Sequence, residues 1–147
     1  MLVSRKSQYA LRAVFELAKR GSADPVRVAD IAEAQSIPVR FLEAILNQLR
    51  QAGVVESRRG KDGGYLLEGR PSAVTVGDVL RAVDGETRVI DCGNDPAECP
   101  SAGQCVFHPL WDRAKGALDQ VYDSTTVADL VDEEVASMMR YAPVYSI

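Results

Sequence analysis

Histidine occurs once in this chain, tryptophan once and cysteine three times. With a single imidazole and no P-loop, G-x-S-x-G or dinucleotide fingerprint, the chain lacks a catalytic constellation and is expected not to be an enzyme. No C-x2–4-C pair is present, so the usual ligand spacing of a structural zinc module is missing. No apolar run approaches the roughly 18 residues of a membrane span, which argues against a transmembrane helix. The opening stretch, Met1-Leu-Val-Ser-Arg-Lys-Ser-Gln-Tyr9, has no apolar core of a secretion signal, so a cytoplasmic protein with no membrane partner is expected. Internal repeats and low-complexity tracts are also absent.

What is present is an ordinary globular composition with an uneven charge. The 147 residues suit one domain with an appended element, and 46% of them are apolar. A net charge of −4 argues weakly against a nucleic-acid partner. The two halves of the chain disagree on this point. Residues 1–70 carry 12 Lys and Arg against 8 Asp and Glu, a net +4, while residues 71–147 carry 5 against 13, a net −8. A basic head on an acidic body fits a polyanion-binding module.

Apolar periodicity then gives the elements. Ala10, Val14, Leu17 and Ala18 recur at helical spacing within a first helix over Ser7–Arg20, which Gly21 ends. Val28, Ile31 and Ala32 mark a short second helix. Pro38 suits the first position of a third, whose stripe Leu42/Ile45/Leu46/Leu49 runs to Gly53. Two short strands follow, Val54–Ser57 and Gly64–Leu67, joined by the Gly-rich, basic turn Arg58-Arg-Gly-Lys-Asp-Gly63. Helix-turn-helix followed at once by a basic hairpin predicts a winged helix: a mainly α fold with a small β-wing. Thr75-Val-Gly-Asp78 reads as a capping box opening a helix to Gly85, and residues 91–109 as loop. Leu110, Ala114, Ala117, Leu118 and Val121 predict another helix, and Thr126-Val-Ala-Asp129 starts a last one.

If the third-helix stripe faces the core, its other face presents Val39, Arg40, Glu43, Ala44 and Asn47, with Phe41 on the same N-terminal turns. Arg40 can pair with guanine O6 and N7, and Glu43 can accept from cytosine N4, so this helix is the expected major-groove reader. A surface ion pair between Arg40 and Glu43 is the plain alternative. Arg58, Arg59 and Lys61 crowd the hairpin tip, where glycines such as Gly63 let the backbone approach a phosphate closely. Arg5 and Lys6 add positive charge at the start of the first helix, suited to phosphate contact.

All three cysteines fall between Cys92 and Cys105, in the pattern Cys92-x6-Cys99-x5-Cys105-x2-His108. An odd count in a reducing compartment cannot pair fully as disulfides, and it points to metal or redox chemistry. Gaps of six and five suit an open loop around a larger object, as an iron–sulfur cluster requires, with imidazole able to replace one thiolate. A zinc site or a reversible thiol switch are the alternatives. An electron-transfer protein, or a winged helix used only for protein contacts, ranks lower.

These residues together resemble the iron–sulfur cluster regulators of the IscR, NsrR and RirA type. The likeness runs from Ser4-Arg-Lys-Ser-Gln-Tyr-Ala-Leu-Arg12 through Gly60-Lys-Asp-Gly-Gly-Tyr-Leu-Leu67, Val76-Gly-Asp-Val79 and the cysteine segment. It continues through Leu110-Trp111 to Thr126-Val-Ala-Asp-Leu130. The resemblance implies a transcription regulator that binds double-stranded DNA at a palindromic operator as a homodimer, paired through the helix from Leu110 to Asp123. It also implies a cluster on Cys92, Cys99 and Cys105, and DNA contacts by Arg59 and the Arg40–Glu43 turn. In IscR-like members a histidine at the position of His108 completes a 2Fe–2S site. NsrR-like members can use a first-helix aspartate on a 4Fe–4S cluster, whereas Ser7-Gln8-Tyr9 here offers no carboxylate. A 2Fe–2S cluster is therefore preferred and 4Fe–4S is the alternative. The expected division is a winged helix-turn-helix domain over 1–85, a cysteine loop over 86–109, and a dimerisation helix with C-terminal helix and tail over 110–147.

Overall fold

The computed structural model describes residues 3–21, 23–90 and 105–141. In chain order these form α1 (Arg5–Arg20), α2 (Val28–Gln35), α3 (Val39–Gln51), β1 (Val55–Arg58), β2 (Gly64–Leu67), a 3-10 turn (Pro71–Ala73), α4 (Val76–Asp84), α5 (His108–Ser124) and α6 (Val127–Tyr141). This is the mainly helical fold with a small β-wing that the periodicity predicts.

Helix α1 lies at the centre, packed against α2, α3, α4, α6 and β2. Its buried face is built from small residues, with Ala10, Ala13 and Val14 fully inaccessible, so neighbouring helices can approach it closely. The α1 boundary differs from expectation. The helix starts at Arg5 because Ser4 is its N-cap, the Ser4 side chain accepting from the Ser7 backbone N–H at 3.0 Å. At its other end Gly21 takes the left-handed conformation and its N–H returns to the Leu17 carbonyl.

The third-helix stripe is buried as predicted: Leu42, Ile45, Leu46 and Leu49 all face the core. Pro38 is the N-cap of α3 rather than its first helical residue. Between α2 and α3, Ser36 sits at φ 52°, the sole described non-glycine with positive φ, and Ile37 is buried directly after it. Two α1 side chains hold this turn. Arg12 Nη1 donates to the Gln35 carbonyl at 3.5 Å, and Gln35 Nε2 donates to Glu16 Oε2 at 2.8 Å.

β1 and β2 pair antiparallel with Val55 opposite Leu67 and Arg58 opposite Gly64, so β1 is displaced by one residue from the expected strand. The wing gains a third edge that periodicity did not predict. Val26 exchanges two backbone hydrogen bonds with Tyr65, at 2.9 and 2.8 Å. This explains Gly64: a Cβ there would lie 2.2 Å from the Val26 carbonyl oxygen. A Cβ on Gly63 would lie 2.4 Å from the Arg58 carbonyl oxygen. Close backbone packing within the protein therefore requires both glycines.

Both capping boxes form. Thr75 and Asp78 exchange hydrogen bonds at 2.9 and 3.1 Å, and Thr126 and Asp129 do so at 2.8 and 3.1 Å. The two helix starts lie side by side, joined by Val76 N–H to the Thr125 carbonyl and Val127 N–H to the Val74 carbonyl, both 2.9 Å. Gly77 is packed so tightly that a Cβ would meet Asp123 and Arg81, whose ion pair at 2.6 Å ties α4 to α5. Helix α5 begins two residues before Leu110, because Pro109 fits a first turn, where its missing N–H is not needed.

Candidate nucleic-acid interface and cysteine turn

The exposed face of α3 carries Val39, Arg40, Phe41, Glu43, Ala44 and Asn47, all solvent-accessible. The Arg40–Glu43 ion pair does not form. The Arg40 guanidinium instead lies over the Phe41 ring, 4.6 Å from its centroid, and its edge donors meet no carboxylate among the described residues. Asn47 accepts from Arg50 Nη2 at 2.8 Å. Val39 and Phe41 are each close to half exposed, an apolar surface able to meet thymine methyls.

On the wing, Arg58 pairs with Glu56 at 3.3 Å, so part of its charge is neutralised. Arg59 and Lys61 are exposed, and among the described residues neither pairs with a carboxylate. Arg27, which the sequence reading passed over, lies at the N-cap of α2 and donates to the Lys61 carbonyl at 3.3 Å, bracing the wing tip. No local signal marks it, because its partner is 34 residues away.

At the start of α1, Arg5 is exposed. Lys6 lies 3.7 Å from Asp84, the last residue of α4. The same carboxylate accepts from Ser4 Oγ at 2.5 Å and Ser7 Oγ at 2.6 Å. Burial works against its ionisation, but the hydrogen bonds from Ser4 and Ser7 and the nearby Lys6 outweigh it and hold the Asp84 carboxyl below the ordinary range. Glu16 repeats the pattern inside the head. Burial raises its pKa, and the hydrogen bonds from Arg20 at 2.7 Å and from Gln35 more than reverse this.

Cys92 and Cys99 lie outside the described residues. Cys105 is described as a half-buried free thiol. Its carbonyl accepts the His108 N–H at 3.2 Å, so Cys105 and His108 flank one turn leading into α5. His108 is exposed, and its Nδ1 lies 2.9 Å from Asp112 Oδ2 one turn further on. Among the described residues no group of three metal-ligating side chains converges. Thiolate and imidazole donors on one turn fit the mixed donor set of an iron–sulfur site.

Fold and exposed basic surfaces together define a winged-helix, DNA-binding transcription regulator. The model of the Rrf2 family, described as "Iron-dependent Transcriptional regulator", matches residues 3–133, and the chain belongs to that family. Among its relatives is the HTH-type transcriptional regulator CymR of Bacillus subtilis, 35% identical over 144 residues, 96% of this chain and 99% of that one. IscR of Escherichia coli is 34% identical over 134 residues, 91% of this chain and 82% of that one. The solved structure of T. potens IscR superposes with a TM-score of 0.77 at 32% identity, covering 99% of this chain and 95% of the other. The structure of B. subtilis CymR, described as the global cysteine regulator of that organism, gives 0.73 at 33% identity, covering 90% and 98%.

Proposed function

We propose that this regulator binds a palindromic operator as a homodimer, and that an iron–sulfur cluster held by Cys92, Cys99, Cys105 and His108 controls that binding. The observation that carries the cluster reading is the turn on which Cys105 and His108 stand together at the head of α5. The cluster, 2Fe–2S by preference, would supply one-electron redox chemistry and sensitivity to iron or oxidant. The chain's own residues do the rest. Cys105 and His108 hold the head of α5, and Asp123 near its far end grips Arg81 of α4, which packs on α1 and α3. A change at the cysteine segment can therefore reach the DNA-binding head through α5 and α4.

On this reading the head over 1–85, the cysteine loop over 86–109, and the dimerisation helix with its C-terminal helix and tail over 110–147 are the three working parts. Support for pairing comes from apolar exposure: α5 has no buried residue and presents Leu110 and Val121, while α6 presents Val135 and Met138. A second copy of the chain is the occupant such a face suits, by two-fold pairing. Arg40 and Glu43 read bases, with Val39, Phe41, Ala44 and Asn47 beside them. Arg5, Lys6, Arg58, Arg59, Lys61 and the Gly63 backbone contact phosphates or the minor groove. No helix among the described residues is long and apolar enough to cross a membrane; the regulator acts in the cytoplasm.

Anaerobic purification followed by metal analysis, visible absorption and Mössbauer spectroscopy tests the cofactor. Iron, sulfide and charge-transfer bands that vanish in Cys99→Ser are expected. A colourless, iron-free protein contradicts the reading. The similarity to CymR supports one second reading, a regulator of cysteine metabolism whose thiols act without a cluster. Reversible thiol oxidation in an iron-free protein would favour it, and stoichiometric zinc would favour a zinc site.

A further inference from the structure

Among the described residues Glu16 is the one buried carboxylate, 7% exposed, and it stands against the turn that aims α3. Its two oxygens have separate partners: Arg20 Nε donates to Oε1 at 2.7 Å and Gln35 Nε2 to Oε2 at 2.8 Å. Burial opposes its charge, and these hydrogen bonds outweigh the burial. Gln35 is the last residue of α2 and is held by its backbone as well, its carbonyl accepting from Arg12 Nη1 at 3.5 Å. Arg12 and Glu16 are one turn apart on α1, so a single helix face holds both the side chain and the backbone of Gln35. The next residue, Ser36, takes φ 52°, Ile37 is buried, and Arg40 lies five positions beyond Gln35. The direction in which α3 leaves this turn is thus tied to α1 through Gln35.

Resting on the reading of α3 as the base-contacting helix, we infer that Glu16 and Gln35 are positioning residues for operator selection: their hydrogen bond fixes the α2–α3 turn, and with it the angle at which Arg40 and Glu43 meet the bases. Neither residue touches DNA in this proposal. The plain alternative is a polar contact that serves stability alone. Burying a carboxylate costs desolvation that a well-packed apolar pair avoids, so stability is a poor reason for its place here. Hydrogen bonds to base edges are directional and carry the sequence information, whereas phosphate contacts do not. Loosening the turn should therefore fall on selectivity.

The test uses the full-length protein and two duplexes: one selected by the wild type from a random-sequence pool, and a scrambled duplex of the same length and composition. Fluorescence anisotropy gives the affinity for each. Gln35→Leu removes the hydrogen bond, Gln35→Asn falls short of Glu16, and Gln35→Glu sets carboxylate against carboxylate. The ratio of the two affinities should fall about threefold in the first two and about tenfold in the third. Affinity for the scrambled duplex, and its salt dependence, should not change, because the phosphate contacts are untouched. Adding Glu16→Gln to Gln35→Glu exchanges donor and acceptor and should restore most of the ratio. Gln35 is half-buried at a helix end, and unchanged far-UV circular dichroism shows that the variants fold. Gln35→Asn, the mildest change, decides the case if the charged variant does not fold. An unchanged ratio in folded variants overturns the inference, as does an equal loss on both duplexes or an exchange that rescues nothing. Arg40→Ala and Glu43→Ala test the underlying reading separately: if both leave the ratio unchanged, α3 is not the base reader and the inference falls with it.

Discussion

The DNA-binding head and helix α5 bury their apolar residues very differently. In the head, Ala10, Val14, Ile31, Leu42, Leu46, Leu49, Val55 and Val79 are fully inaccessible, within one cluster that spans α1, α2, α3, the wing and α4 and takes in Val127 of α6. The 17 residues of α5 include none that is buried. A helix with an apolar stripe and no buried side chain gains little from burial within its own chain, although the Arg81–Asp123 pair ties it to α4. The contrast teaches that the core is centred on the head and closed by Val127 of α6, whereas α5 adds no buried residue to it; on the proposed reading a second copy covers α5.

The largest effect should separate the two regions directly. Leu46→Ala should destabilise the fold by about 2–5 kcal/mol, from lost burial and the cavity left behind. Val121→Ala, at a site 59% exposed, should cost under about 0.5 kcal/mol in the monomer and act on dimer dissociation instead. Chemical denaturation as a function of protein concentration distinguishes these. If both substitutions shift the midpoint equally at every concentration, the contrast between head and α5 fails.

Within the head, the wing should break at Gly64. Gly64→Ala places a methyl against the Val26 backbone, which cannot move as a side-chain tip can, and should cost about 1–3 kcal/mol. Hydrogen exchange should show the Val26–Tyr65 pair opening first. Unchanged protection at both amides would show that the wing does not depend on this contact.

DNA binding sharpens the comparison between α3 and the wing. Arg40→Ala should cost about 1–3 kcal/mol on the preferred operator and relax selectivity at one base position. Arg59→Ala should weaken all sequences alike and reduce the salt dependence of binding by about one unit of slope. Fluorescence anisotropy over a salt series measures both, and swapped signatures would reassign the two residues.

A smaller effect concerns pH. Glu16 ionises at lower pH folded than unfolded, so its contribution to stability is complete above the unfolded glutamate pKa. It declines as pH falls and is gone below the folded pKa. Thermal melts of Glu16→Gln from neutral to acid pH should therefore show lower stability at neutrality and a flatter acid limb. A parallel displacement at every pH would show that the carboxylate's charge is not what matters.

What could be read in the sequence was what is local. The Leu42/Ile45/Leu46/Leu49 stripe and the Thr75/Asp78 and Thr126/Asp129 boxes each repeat within a few residues, so spacing alone reveals them. Contacts across the chain left no such trace. The bridge from Val26 to Tyr65, the seat of Asp84 against Ser4 and Ser7, and the packing of Gly77 against Asp123 join segments 39 to 80 residues apart. Gly63 and Gly64 show what local reading misses: a Cβ on either would meet backbone atoms of the protein itself, whereas nothing lies within 4 Å of one on Gly60. Of the cysteine constellation, the turn from Cys105 to His108 is the part that lies within the described residues.

The central claim is that the cysteine segment controls the head. Its most direct test compares the operator affinity of one anaerobic preparation before and after cluster removal, with Cys105→Ser alongside. The account predicts that cluster removal changes operator affinity by tenfold or more and that Cys105→Ser behaves as the cluster-free form under both conditions. Equal affinity in all three samples, with a cluster demonstrably present in the first, would contradict it.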